Sequence, residues 1–246
     1  MSDGPKIRLH VDAPLGAGQC VALTEAQAHY LFGVMRLGTG AEVALINSRD
    51  GEWRAVVAEA GKRRGRLDCV AQTAPLRLPP DVWLLFAPLK KARTDFIVEK
   101  AAELGVRRIQ PVATEFTGAE RLNRARLQAH AVEAAEQCGG TYAPEVADLI
   151  PLRRLLEGWD PARRLMWADE DRAGAGLALE PTPGPWAVLI GPEGGFSPAE
   201  RAWLGGLPFV VPVSLGPRIL RADTAAVAAL TLWQIRCGDW APASIA

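Results

Sequence analysis

Two glycine-rich segments contain the residues best suited to hold a ligand. GPEGG at 191–195 follows the apolar run WAVLI, and SLGPRILRADT at 214–224 follows FVVPV. Glycines at the carboxyl end of a buried strand let backbone groups approach a bound molecule closely. We therefore expect the two segments to leave neighbouring strands and to line one pocket, made of backbone groups and apolar side chains.

The spacing of these glycines argues against the common nucleotide cofactors. A phosphate-binding P-loop needs Lys and then Ser or Thr after its last glycine, but Phe196 follows Gly195 here. Neither GPEGGF nor GAGLAL at 174–179 has the Gly-x-Gly-x-x-Gly spacing that binds dinucleotides. We expect a ligand other than a nucleoside triphosphate, a nicotinamide or a flavin.

The residues after the first segment predict a helix and need no ligand to explain them. Ser197, Pro198 and Glu200 match an N-cap, a first-turn proline and the third position of a capping box. Gly205 is a suitable end for this helix. The glycines before Ser197 are therefore the candidates for ligand binding.

The elements that position both segments follow from the apolar pattern. Strand candidates alternate with helical patterns at 82–89, 109–112, 164–169, 186–190 and 209–215. Such near-continuous apolar strands indicate an α/β fold with a doubly wound parallel sheet that has helices on both faces. One predicted helix has an apolar face made of Leu127, Ala131, Ala134, Ala135 and Cys138. Gly139 and Gly140 follow and end this helix. Its other side is expected to face solvent, with Arg124, Arg126, Gln128, Glu133 and Glu136.

The first part of the chain predicts a small β domain. Extended runs at 42–46, 52–60 and 66–73 are separated by turn residues. APLRLPP at 74–80 then contains three prolines, which disfavour both helix and central strand. We predict domains at 1–73 and 81–246, joined by a linker at 74–80.

Composition limits the partners and the compartment. Lys plus Arg and Asp plus Glu both number 28 among 246 residues, so attraction to nucleic acid must come from local patches. The four cysteines form no Cys-x-x-Cys pair and the three histidines have no metal-ligand spacing, so no metal site is expected. With neither a signal peptide nor a membrane-spanning run, the sequence predicts a soluble cytoplasmic protein.

LIGPEGGFSPAE and SLGPRILRADTA together resemble the characteristic segments of the RsmE family, the 16S ribosomal RNA uridine-N3 methyltransferases of the SPOUT class. The segment at 29–53 is similar to the family's PUA-like domain, and those at 99–112 and 133–146 also resemble family segments. Ribose 2′-O methyltransferases of the same class share GPEG, but their second segment usually carries Ser-Leu-Asn-Val, whereas 219–224 reads ILRADT here. This difference favours the RsmE family.

The resemblance implies a SPOUT-type trefoil-knotted parallel sheet and a small N-terminal PUA-like β-barrel domain that binds RNA. It also implies S-adenosyl-L-methionine as cofactor, 16S ribosomal RNA of the small ribosomal subunit as partner, and a homodimer. Carried over by matching position, the cofactor site consists of Leu189, Ile190, Gly191, Gly194, Gly195, Ser214, Leu215, Gly216, Ile219, Leu220 and Thr224. The apolar members of this set would otherwise be ordinary core residues.

Three charged residues of the two segments are candidates for the chemistry. Arg221 is expected to stabilise the charge that develops on the uracil carbonyl oxygens; its alternative role is a salt bridge to Asp223 or Glu193. Glu193 is a candidate base, or else a carboxylate that fixes loop geometry. Asp223 stands where the family usually has Glu, and N-capping of the last helix is its alternative role.

RNA contacts are expected from basic patches, because the target uridine must be unpaired for its N3 to react. The candidates are Arg8, Arg36, Lys90, Lys91 and Arg93. The turn with Lys62, Arg63, Arg64 and Arg66 is a weaker candidate, since charged turns are common.

Two departures from the family pattern bear on RNA contacts or the dimer interface. Phe116 and Gly140 stand where the family commonly has arginines. The last helix, from about 224 to 237, is apolar nearly all round, which suits a buried or interface helix. The alternative functions are a ribose 2′-O methyltransferase and a non-catalytic RNA-binding adaptor.

Overall fold

The computed structural model describes residues 5–118, 121–172, 174 and 179–240. The chain divides into two compact units, Met1–Leu78 with Ala135–Ala143, and Pro79–Ala134 with Pro144–Ala246. Within the described residues, no helix is long and apolar enough to cross a membrane.

The N-terminal unit is built on a five-stranded sheet with the order β1-β3-β4-β5-β2. β1 pairs parallel to β3, and the other pairs are antiparallel. A short helix and a π-helical turn, α1 (Glu25–Ala28) and His29–Val34, cover its core. The strands are β1 (Arg8–His10), β2 (Cys20–Ala22), β3 (Glu42–Ile46), β4 (Glu52–Ala60) and β5 (Gly65–Ala74).

The predicted strands of this unit are confirmed, with 42–46 and 52–60 matched at both ends. The sequence reading did not include β1 and β2, because strands of three residues are too short to show an alternating pattern.

The C-terminal unit contains a seven-stranded sheet with the order β12-β10-β11-β6-β7-β8, and β9 also pairs with β7. All of these pairs are parallel. The strands are β6 (Val82–Phe86), β7 (Arg108–Ala113), β8 (Glu145–Val146), β9 (Ile150–Pro151), β10 (Arg164–Ala168), β11 (Trp186–Ile190) and β12 (Val210–Val213). The helices are α2 (Lys91–Glu103), α3 (Arg124–Cys138), α4 (Leu152–Glu157), α5 (Pro198–Gly205) and α6 (Ala222–Cys237). The residues of α3 from Ala135 onward belong to the N-terminal unit.

Helices lie on both faces of this sheet, as the sequence predicted. Leu84 and Phe86 of β6 pack into one core with residues of α2, α3 and α6. Leu85, which points to the opposite face, packs with residues of α4 and α5. Both faces are therefore apolar, which is why the strands read as continuous apolar runs.

The order of the strands corrects one prediction. The two glycine-rich segments follow β11 and β12, but these strands are not neighbours, because β10 lies between them. Trp167 of β10 is in register with Leu189 on one side and Pro212 on the other. Strand order is set by the crossover connections, about which the apolar pattern of a single strand carries no information.

The predicted solvent-facing side of α3 is also wrong in part. Gln128 accepts a hydrogen bond from the Val146 backbone N–H at 2.8 Å, and Arg126 binds the carboxylate of Asp95. Cys138, expected on the buried face, is exposed. Polar residues on this helix therefore connect it to neighbouring elements of the fold.

The predicted capping box at the start of α5 is confirmed. The Ser197 hydroxyl accepts from the Glu200 N–H at 3.2 Å, and the Glu200 carboxylate accepts from the Ser197 N–H at 3.1 Å. α5 continues through Gly205, with Gly206 as its C-cap. The box fixes the chain direction immediately after the first glycine-rich segment.

We expect Ser197→Ala to lower the free energy of unfolding by about 1 kcal/mol, because it leaves helical N–H groups without an acceptor. Ser197→Gly is the matched control and should cost only a few tenths of a kcal/mol. Urea denaturation of both variants measures the difference, and an unchanged free energy of unfolding in Ser197→Ala would show that the cap does not stabilise α5.

Candidate functional site

A cavity of about 420 Å³ lies at the carboxyl edge of the parallel sheet. This is the edge at which open α/β sheets bind ligands, and the volume is in the range of small-molecule sites. Three chain segments form its walls, 168–170 after β10, 190–195 after β11, and 215–222 with Ala225 at the start of α6. The two glycine-rich segments thus share one pocket, although they leave strands that are not neighbours.

Most of the sequence-predicted cofactor residues line this cavity. They are Ile190, Gly191, Gly194, Gly195, Leu215, Gly216, Ile219 and Leu220. The structure places the other three elsewhere. Leu189 is buried on the opposite face of β11, Ser214 is buried and accepts from the Gly216 N–H at 3.3 Å, and Thr224 is exposed on α6.

The glycines of the first segment are needed for steric reasons. A Cβ atom on Gly191 would lie 2.7 Å from the ring of Phe196. Gly195 has a φ of +69°, and a Cβ there would overlap the carboxylate of Glu170. In the second segment, Gly216 has a φ of +107°, which favours glycine although the space around it is open. A larger residue at 191 or 195 would displace a wall of the cavity.

Phe116, at a position where the resemblance led us to expect an arginine, lies against the first segment. A Cβ on Gly194 would be 3.3 Å from the Phe116 Cβ. The backbone N–H of Glu115 donates to the Glu200 carboxylate at 2.9 Å, so this turn is held by the capping residue of α5. Phe116 itself is 47% exposed. The departure therefore places an aromatic ring beside the cavity wall.

The charged candidates form a different set of ion pairs from the predicted one. Arg93 of α2 lies 3.2 Å from the Glu193 carboxylate and 3.7 Å from that of Asp223. Neither proposed pair of Arg221 is present among the residues that the structure describes. Arg221 lines the cavity, exposed, and is itself the N-cap of α6, so the N-cap role considered for Asp223 is wrong. Asp223 lies in the first turn.

Sequence reasoning missed the wall after β10. Asp169 and Glu170 line the cavity, and Arg201 of α5 binds both carboxylates and lies 3.0 Å from Asp171. Burial lowers the pKa of Arg201, but the hydrogen bond to Asp169 and the nearby carboxylate charges raise it above its usual value. The three consecutive acids after a predicted strand were the signal that could have identified this wall.

The predicted RNA-binding residues occupy contrasting positions. Lys90 and Lys91 are exposed at the start of α2. Arg36 is also exposed, with a φ of +56°. Arg8 instead donates to the Glu52 carboxylate and to backbone carbonyls, among them that of Gly140 at 2.9 Å. Its guanidinium therefore has a structural role in the N-terminal unit.

The lining of the cavity suits a cofactor without phosphate. Glycine backbone can hydrogen-bond the edge of an adenine, and Leu215 and Leu220 can cover its faces. Asp169, Glu170 and Glu193 add carboxylates that a sulfonium can contact, although each is already paired with an arginine and Arg218 and Arg221 also line the cavity. S-adenosylmethionine, with adenine, a sulfonium and no phosphate, fits these residues.

The sequence matches two protein families along most of its length. Residues 76–234 match the RNA methyltransferase domain, and residues 23–68 match the RNA methyltransferase PUA domain. The chain is 33% identical over 218 residues to ribosomal RNA small subunit methyltransferase E of Synechocystis sp., covering 85% of this chain and 71% of that protein. It is 25% identical over 228 residues to the Rickettsia conorii protein of the same name, covering 91% of this chain and 93% of that protein.

Solved structures show the same similarity. Ribosomal RNA small subunit methyltransferase E from Neisseria gonorrhoeae, bound to S-adenosylmethionine, superposes with a TM-score of 0.86 at 27% identity, covering 96% of this chain and 99% of that one. A methyltransferase from Legionella pneumophila in complex with S-adenosylmethionine also gives 0.86 at 28% identity, covering 95% and 98%. Both the family match and the Synechocystis relative lead to one conclusion: this chain belongs to the ribosomal RNA small subunit methyltransferase E family.

Proposed function

We propose that this protein transfers a methyl group from S-adenosyl-L-methionine to N3 of a specific uridine in 16S ribosomal RNA of the small ribosomal subunit. The observation that carries the proposal is the shared cavity of the two glycine-rich segments, in a chain that belongs to this enzyme family. The cofactor supplies an electrophilic methyl group when bound. The remaining work of the protein is to hold the uracil in line and to stabilise its charge.

Arg221 is the residue that we assign to the uracil. It lines the cavity and is exposed, so its guanidinium is accessible to an RNA base. When N3 loses its proton to solvent water, negative charge spreads to the two carbonyl oxygens of uracil, and a nearby guanidinium stabilises it. The arginine thus favours the reactive, deprotonated form of the base.

Glu193 and Asp223, our other catalytic candidates, are assigned a positioning role through Arg93. One guanidinium lies between a carboxylate of each glycine-rich segment, at 3.2 and 3.7 Å. This arrangement joins the two walls of the cavity across the start of α2. Arg93, first expected to bind RNA, is therefore proposed to maintain the cofactor site.

Further features of the family are part of the proposal. Residues 1–73 serve as the RNA-binding PUA-like domain, 74–80 as the linker and 81–246 as the SPOUT domain with its trefoil knot. The active form is proposed to be a homodimer, as in the family; Ile235 on α6 and Trp240 after it are 49% and 50% exposed and offer apolar surface to an interface. RNA binds at Lys90 and Lys91, at the carboxyl edge of the sheet near the end of β6.

Incubation with labelled S-adenosylmethionine and unmodified small ribosomal subunits should label N3 of one uridine, which mass spectrometry of RNA fragments can map. Label on ribose would assign the protein to the 2′-O methyltransferases. No label on subunits or on naked 16S ribosomal RNA would favour an adaptor. Gly195→Ala, which strains the backbone and overlaps Glu170, is the control and should abolish labelling.

Arg221→Ala should reduce kcat about a hundredfold, the usual loss when one charge-stabilising donor is removed. The Kd for S-adenosylmethionine should remain unchanged, since the assigned partner is the uracil. Single-turnover methylation and calorimetry measure the two effects separately, and Arg221→Lys should recover part of the rate. Normal turnover by the alanine variant would contradict the assignment.

Arg93→Ala should weaken S-adenosylmethionine binding about threefold, because each partly exposed ion pair contributes only about 0.2–1 kcal/mol. Its affinity for ribosomal RNA should stay the same. The contrasting variant, Lys90→Glu with Lys91→Glu, should keep cofactor affinity, weaken RNA binding and flatten its salt dependence. Calorimetry measures the cofactor affinity of both variants, and RNA titration at several salt concentrations measures their RNA affinity. Weaker RNA binding by Arg93→Ala would show that Arg93 contacts RNA, as first expected.

A further inference from the structure

The N-terminal unit contains a second cavity, of about 480 Å³, that the methyl-transfer site does not use. One wall is the π-helical turn His29–Val34, which contributes His29, Phe32 and Gly33. The other wall is the turn between β4 and β5, which contributes Ala60, Gly61 and Lys62. An imidazole, an aromatic ring and an ammonium group therefore surround one space.

The backbone at two glycines comes close to both rings. A Cβ on Gly65 would overlap the ring of Phe32, and a Cβ on Gly33 would lie 2.9 Å from the His29 Nδ1. The turn itself is π-helical. This form is rare in proteins, and where it occurs it is often at a functional site. Arg36, just beyond it, has the unusual φ of +56°. These features give the segment a specific backbone shape.

The surroundings of this cavity are positively charged. Lys62 lines it, and Arg63 and Arg64 follow at the tip of the turn, with side chains 84% and 85% exposed. Their carboxylate partners, Glu25 and Glu59, lie 3.5 and 3.6 Å away. Such exposed pairs contribute little to stability and are readily exchanged for phosphate. Lys62, Arg63 and Arg64 can therefore attract an anionic polymer despite the two nearby carboxylates.

We infer that this cavity binds one unpaired nucleotide of the RNA substrate. The base stacks on the imidazole of His29 beside Phe32, and the ammonium group of Lys62 contacts its phosphate. Unpaired bases stacked on aromatic or imidazole rings, with the backbone on basic side chains, are the usual mode of single-stranded RNA recognition. The inference rests on the proposed function for the identity of the polymer.

A fluorescein-labelled oligouridylate is the probe, titrated with the full-length protein by fluorescence anisotropy. His29→Ala should weaken binding about fivefold or more, the lower limit for losing one stacked base. Lys62→Glu should also weaken it and reduce the slope of affinity against salt concentration by about one. Lys6→Glu is the matched control for charge, since Lys6 is exposed in the same unit outside the cavity.

Thermal unfolding checks that the variants fold as the unaltered protein does. His29→Phe, which keeps an aromatic ring, should retain most of the affinity that His29→Ala loses. Unchanged oligouridylate binding by both His29→Ala and Lys62→Glu would overturn the inference, as would an equal loss in Lys6→Glu. The assay needs no methyl transfer, so failure of the proposed enzymatic function would appear separately, in the labelling of ribosomal subunits by the unaltered protein.

Discussion

The candidate site depends on the pairing of β10 with two strands at once. β11 and β12 carry the glycine-rich segments at their carboxyl ends, and β10 pairs in parallel register with both of them. This pairing fixes the separation of the two segments at the width of one strand and adds the end of β10 as a third wall. Because the walls follow directly from strands of a buried sheet, the cavity can exist before any ligand binds.

Charge at the site is organised around two arginines. Arg201 binds Asp169 and Glu170 on the wall after β10, while Arg93 lies between Glu193 and Asp223 on the other two walls. Carboxylates so close to a ligand site would repel one another without these cations. The pairs therefore let carboxylates and the arginines Arg218 and Arg221 line one cavity without loss of the loop geometry.

Arg221 differs from both of these arginines. It begins α6 beside the same cavity but faces solvent, so RNA can reach its guanidinium. The division suggests separate tasks, in which paired arginines maintain the site and the exposed one meets the substrate. Phe116 lies next to Gly194, and the adjacent Glu115 is held by the Glu200 capping residue, so an apolar ring stands beside the cavity wall.

The sequence by itself determined the longer strands and several helices, the family and most of the cavity lining. The run WAVLI coincides with β11 and the capping box at Ser197 is present, since local periodicity and local hydrogen bonding decide both. Glycines were recognisable because their steric requirement is local. The family prediction, made from the two segments together, is confirmed by the match over 76–234.

Only the tertiary structure decided which distant residues meet. The insertion of β10 between β11 and β12, and with it the role of Asp169 and Glu170, follows from crossover connections that no single segment encodes. The position of Arg93 between Glu193 and Asp223 likewise joins three parts of the chain far apart in sequence. The spacing of apolar residues shows which face of each helix or strand is buried. Which charged side chains form ion pairs depends instead on how the whole unit packs.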